Sequence, residues 1–425
     1  MQPLALAPAG LAGLTLADAM MHNDAANVDP VDAPIPTGRL VAAAAVATVA
    51  VPALTVLSAA ARVAEPVVTA VGCVKPLRLL FAHEAGAVRP DHMAQREQFT
   101  AEILEHGALS AVNVTLSHRK GEVHGCYMRS RNASYPSRRV AILCGGSTEA
   151  LEDQWEATVF LLERGIDVFG TQPSNYPSPW NDFGQGASET PLEASMRRFR
   201  HTIDEESVML DGLAIVGWLT SGEASAEAPV TPYTIDQIMV EGHSLGTCTA
   251  HMLARSFPDL AAVVVVEPLA SIGDVASYAA INHVCDALDG WLPRSTLHRV
   301  LYPSLSRCAH VVGRLAFRPS RRSGVPGDAR GFDAHGAVAN FRGAYLAVEA
   351  GKDILMSLAV DRRASRPGAQ NFATRLVSIA KRRRGVPASR SRIIRVPTAQ
   401  HGSSRYYQVV RDRYDGFLRD IGFAS

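Results

Sequence analysis

The chain has 425 residues, enough for one large α/β domain with extensions or for two domains. Hydrophobic residues make up 47% and charged residues 20%, the balance of a chain with a packed core rather than a disordered one. A formal net charge of +1 provides no global field to draw in nucleic acid, and six scattered cysteines without a C-x-x-C pair argue against zinc or a disulfide framework and for reduced, buried thiols.

Residues 1–39 are rich in Ala, Pro and Asp and read as a poorly ordered tail. Leu40 to Ala61 then runs 22 residues without a charge. That length can span a bilayer, but Ala and Val dominate it and Pro52 interrupts it, so a membrane helix and a buried Ala-rich helix both fit. Its distance from the start and the lack of a basic region before it do not fit an ordinary secretory signal. If it spans, Asp18, Asp24, Asp29 and Asp32 lie on one side and Arg62, Lys75 and Arg78 on the other, which would leave the rest of the chain on the cytosolic side. Residues 40–108 are this segment followed by a helical linker.

From about residue 109 to 425, short apolar runs alternate with longer helical patterns. Such alternation implies a mostly parallel sheet with helices on both faces. Eight strands are expected: Ala111–Leu116, Val123–Met128, Val140–Leu143, Asp167–Phe169, Gln237–Glu241, Ala262–Val266, Ala344–Glu349 and Arg392–Val396. Helices are expected over 150–164, 187–219, 246–256, 371–384 and 403–420, the last with Tyr406, Val410, Tyr414 and Phe417 on one face. An insertion of about 269–341 precedes the seventh strand and carries helical patterns among many arginines, from Arg294 to Arg330. A second, 361–391, holds the run Lys381 to Arg384, which suits a helix C-terminus.

The most informative motif is Gly242-His243-Ser244-Leu245-Gly246, placed after the apolar run Ile238-Met239-Val240 and before a small-residue helical pattern. A serine at a strand-to-helix turn can be held on a strained backbone with its Oγ exposed, and small residues two positions to either side let strand and helix close together. This G-x-S-x-G turn and its context resemble the nucleophile turn of the α/β-hydrolase superfamily. The resemblance implies the α/β-hydrolase fold, with an eight-stranded, mostly parallel sheet and a helical cap over about 269–341. It also implies a serine hydrolase acting on ester bonds.

A serine hydroxyl needs a base, and the base an orienting carboxylate. In the superfamily these follow the serine in the order acid, then histidine. His401, in a short loop after the last strand and followed by Gly402, resembles the histidine loop and is the implied base. Asp353, after the seventh strand and Gly351, resembles the acid loop. Glu267, directly after Val263 to Val266, is the alternative acid. His243 belongs to the turn, with its side chain directed away from that of Ser244. The oxyanion donors implied are the backbone N–H groups of Leu245 and of Ser147, in Cys144-Gly145-Gly146-Ser147-Thr148, where this chain has Cys in the place of the superfamily's His. Glu149, Glu152 and Asp153 read as acids at a helix start, without chemistry.

The resulting expectation is cleavage of a carboxylic ester through an acyl-enzyme, with a small or lipid-like acyl ester as substrate. This chemistry needs no cofactor and no metal. No P-loop, H-E-x-x-H, EF-hand or Rossmann fingerprint is present. Thioester hydrolysis and acyl transfer fit the same triad. A hydrolase-like module that binds without turnover, tethered to a membrane surface, is the alternative of another class. Oligomeric state is not legible.

Overall fold

The computed structural model describes residues 92–119, 121–133, 138–146, 149, 151–172, 205–221, 232–269, 334–351, 372–400 and 402–424. They all lie in one of the chain's two compact units, 84–270 with 332–359 and 370–425. The tail, the Leu40 to Ala61 segment, most of the 269–341 insertion, and Ser147, Asp353 and His401 lie outside the described residues. Among the described residues no helix is long and apolar enough to cross a membrane.

In chain order the elements are α1 (His92–His106), β1 (Ala108–His118), β2 (Gly121–Ser130), β3 (Arg139–Cys144), α2 (Trp155–Leu162) and β4 (Ile166–Gln172). They continue as α3 (Glu205–Ser221), β5 (Ile238–His243), α4 (Gly246–Ser256), β6 (Ala262–Val266) and α5 (Ala334–Asn340). The last are β7 (Ala344–Ala350), α6 (Phe372–Lys381), β8 (Ser391–Val396) and α7 (Gln408–Asp420).

The strands form one sheet in the order β1-β2-β4-β3-β5-β6-β7-β8. β2 pairs antiparallel with β1 and β4, and every other pair is parallel. An eight-stranded sheet in this order, with only the second strand reversed, is the α/β-hydrolase fold. The central strands read as continuous apolar runs because both faces are covered: every residue of β5, β6 and β7 is buried. β1, at the edge, alternates between half-buried and exposed positions along most of its length.

Strand periodicity divides the core between two layers. Val263 and Val265 pack with Ile215, Leu253, Val338 and Leu376 of α3, α4, α5 and α6. Ala262, Val264 and Val266 pack on the opposite face with Ile103, Leu162 and Phe417 of α1, α2 and α7. The second face also receives Met239, Glu241 and His243 of β5, since Tyr414 of α7 reaches both Met239 and Glu241.

Two expected elements differ. The helix expected over 403–420 is a 3-10 turn, Ser404–Tyr406, followed by α7, because Ser404 is buried on Glu267 and Tyr407 is extended (φ −77°, ψ 130°). Tyr406, expected on the buried face of that helix, is therefore exposed, whereas Val410, Tyr414 and Phe417 are buried. The insertion before β7 returns to the core earlier than expected: α5 buries Ala334 and Val338 against α4 and α6. The helix expected over 187–219 is described only from Glu205 onward.

Candidate active site

Among the described residues, only two that are not glycine have positive φ: Ser244 at 49° and Glu267 at 55°. For a residue with a Cβ this left-handed conformation costs roughly 1–2 kcal/mol, and it persists only where surrounding structure enforces it. Here the Ser244 N–H donates to Val266 O at 2.9 Å, and the Ser244 carbonyl accepts from the Thr247 N–H at 3.0 Å and the Thr247 hydroxyl at 2.6 Å. The Thr247 hydroxyl oxygen in turn accepts from the Leu269 N–H at 3.1 Å. The Glu267 N–H donates to Val348 O at 2.9 Å. Both strained residues thus stand at the C-terminal ends of adjacent parallel strands, β5 and β6, where sites of open α/β sheets form.

The two glycines of the turn are required by contact. A Cβ on Gly242 would lie 2.4 Å from Gly246 O, and one on Gly246 would lie 2.0 Å from Cys144 O and 2.5 Å from Gly145 O. The start of α4 therefore rests on the backbone that leaves β3. Gly146 follows in that loop, and a Cβ there would stand 3.4 Å from the Cβ of Ser244. Leu245 is already helical (φ −61°, ψ −31°) and opens the first turn of α4, where N–H groups have no intrahelical acceptor. The backbone from Cys144 to Gly146 and the turn carrying Leu245 are thus in contact. Cys144 is buried, and burial pushes its thiol up to about 12, so it is no thiolate nucleophile.

Glu267 meets the segment that follows His401. Its Oε2 accepts from the Gly402 N–H, and its Oε1 accepts from the Ser404 N–H at 3.1 Å and hydroxyl at 2.6 Å. The same Oε2 lies 3.4 Å from Nε2 of His243. One carboxylate oxygen therefore joins the residue before Ser244 to the residue after His401. The Ser403 N–H donates to Gln400 O at 3.2 Å, and Gly402 has φ 81°. β7 and β8 end side by side: the Gly351 N–H donates to Val396 O at 2.7 Å, and a Cβ on Gly351 would lie 2.5 Å from Pro397.

Glu149, expected only to favour a helix start, has a different place. The helix begins later, and the Glu149 carboxylate accepts from the Gly146 N–H at 2.7 Å, pairs with Arg405 and lies 2.9 Å from His243 Nδ1. Burial alone would raise its pKa, but His243, then Arg405 and the Gly146 N–H, bring it down to about 2. For His243 burial works downward, and Glu149 followed by Glu267 reverses it, to about 9. Glu241, two positions earlier on β5, is buried with the Tyr414 hydroxyl donating to it at 2.6 Å; burial raises its pKa, and Tyr414 opposes the rise.

Of the residues anticipated from sequence, Ser244, Leu245 and Glu267 are described and lie together, while Ser147, Asp353 and His401 fall outside the described residues. His243 lies against two carboxylates, Glu149 and Glu267. Glu149 and Arg405 were missed because they meet across 256 positions, and no local pattern marks such a pair.

No protein-family model and no curated protein matches the sequence. Solved structures with a similar chain path include an esterase from Pyrococcus furiosus, at 13% identity and a TM-score of 0.42, covering 73% of this chain and 91% of that one. An esterase from Pyrobaculum calidifontis is 17% identical with a TM-score of 0.40, covering 81% and 96%. An α/β-hydrolase from Vibrio vulnificus is 14% identical with a TM-score of 0.42, covering 78% and 95%. The fold assignment rests on the strand order and register of this chain.

Proposed function

We propose that the protein is a serine hydrolase that cleaves a carboxylic ester through an acyl-enzyme. The observation that carries this reading is the strained backbone of Ser244 at the turn between β5 and α4. Strain of this kind at the mouth of a parallel sheet has a ready purpose in presenting a nucleophile. In this reading the Ser244 Oγ attacks the ester carbonyl and its proton passes to His401. The Leu245 and Ser147 N–H groups receive the oxyanion, and the alcohol leaves with the proton from His401. Water then attacks the acyl carbon, with His401 again the base, and frees the acid and Ser244.

Asp353 orients His401. Glu267 is spent on Gly402 and Ser404, which supports its holding the histidine turn rather than replacing Asp353. A lipid-like acyl ester is the favoured substrate class, supported by the uncharged Leu40 to Ala61 segment and by the arginines of the insertion, which suit anionic headgroups at a membrane surface.

Labelling by a fluorophosphonate probe tests the reading. Wild type should label and hydrolyse p-nitrophenyl esters, whereas Ser244→Ala and His401→Ala should do neither. Asp353→Asn should lower kcat by about 10⁴-fold, the scale of losing the orienting acid, and Glu267→Gln by less. A folded wild type that takes no label would sink the hydrolase reading. Paired esters and thioesters of rising acyl length would then separate esterase from thioesterase.

A further inference from the structure

His243 lies between two carboxylates, 2.9 Å from Glu149 at Nδ1 and 3.4 Å from Glu267 at Nε2. A neutral imidazole would present a lone pair to one of them, whereas an imidazolium carries a charge that attracts both. Buried charges persist when they are paired, and here two acids face two bases: Glu149 also pairs with Arg405. Among the described residues the further titratable group beside His243 is Glu241, on its own strand, whose carboxyl is engaged by Tyr414. Each partner of His243 also holds backbone of a different loop. Glu149 accepts from Gly146, which abuts Ser244, and Glu267 accepts from Gly402 and Ser404, which follow His401.

We infer that His243 is a positioning residue of the Ser244 site: held as an imidazolium between Glu149 and Glu267, it fixes the loop after β3 and the turn after β8 against the nucleophile turn. This rests on the hydrolase reading for what is positioned. It assigns the residue before the nucleophile a role at the centre of the site's support. The imidazolium draws together two loops whose anions would otherwise repel, so the oxyanion donors and the base hold their places while the reaction proceeds.

The test uses the full chain, wild type against His243→Gln and the double variant His243→Gln with Glu149→Gln. His243→Gln leaves Arg405 as the one cation for the two buried carboxylates, so its melting temperature should fall; the double variant returns the cluster to one acid and one base and should regain part of it. kcat for a p-nitrophenyl ester should drop about 100-fold in both, the scale of an ångström-level misplacement, with KM nearly unchanged. Wild-type kcat should decline as the pH passes about 9, where the imidazolium loses its proton, and that limb should be missing from both variants. Recovery of kcat together with melting temperature in the double variant, or an unchanged alkaline limb, would overturn the inference in favour of a purely structural role.

Nitrogen-15 NMR of the imidazole, assigned by its loss in His243→Gln, reads the charge without any catalysis. An imidazolium at pH 8 is expected, and a neutral ring would overturn the inference by itself. If the wild type takes no fluorophosphonate while His243 is charged, the hydrolase reading has failed and the positioning role falls with it, but the ion network stands.

Discussion

At the scale of residues, Ser244 holds a left-handed backbone that a residue with a Cβ adopts at a cost in stability. Its φ of 49° is enforced by three hydrogen bonds, from its own N–H and to its own carbonyl. Alanine at this position keeps the strain, and glycine does not feel it. Ser244→Gly is therefore expected to be more stable than Ser244→Ala by about 1 kcal/mol, with both unreactive to fluorophosphonate. Urea denaturation of the two variants measures this directly; equal stabilities would mean that the left-handed turn carries no strain. Ser244 was legible in the sequence because its requirements are local: a strand before, a helix after and glycines that contact requires. Glu149 was not, because an acid near a helix start looks the same whether it serves that helix or reaches across the sheet ends to His243 and Arg405.

At the scale of elements, the two ends of the parallel strands do different work. Opposite the site, at the N-terminal ends of β3 and β4, Asp167 is fully buried and ringed by donors. The Ser130 N–H reaches it at 2.7 Å and Arg138 Nε at 3.0 Å, with the Tyr127 and Tyr233 hydroxyls completing the ring. This cluster joins β2, β3 and β4 to the segment before β5, far from the residues that would touch substrate. Asp167→Asn leaves Arg138 buried without its counter-charge, and breaking such a pair costs about 3–5 kcal/mol. The expected result is a large loss in unfolding free energy with kcat unchanged at a temperature where the variant remains folded. A kcat that fell with stability would mean that the two sheet ends are mechanically coupled. The strands themselves were easy to read, since continuous apolar runs such as Val263 to Val266 have few alternatives. The start of α7 was misjudged because Glu267 binds Ser404 before the helix begins, a tertiary contact that overrides a sound helical periodicity.

At the scale of the molecule, the last helix in the chain closes the layer beneath the central strand. Val410, Tyr414, Phe417 and Leu418 of α7 fill the core on the β5 face, and Phe160 of α2 stacks on Tyr414 with ring centroids 5.2 Å apart. The Tyr414 hydroxyl is the donor that makes burial of Glu241 tolerable, over a separation of 173 positions. In Tyr414→Phe the ring still packs, but the carboxyl loses that bond. Burial already raises the Glu241 pKa, and loss of the hydroxyl removes the first influence opposing it, so the folded-state value should climb further above the unfolded one. A group raised in this way stabilises fully below its unfolded pKa and loses that contribution as pH rises toward the folded value. The variant should therefore lie close to wild type at pH 4 and fall behind it by about 1–3 kcal/mol near pH 8, the range for stranding one buried polar group. Urea denaturation at the two pH values tests it. A deficit independent of pH would show that Glu241 stays protonated throughout and that the hydroxyl bonds a neutral carboxyl.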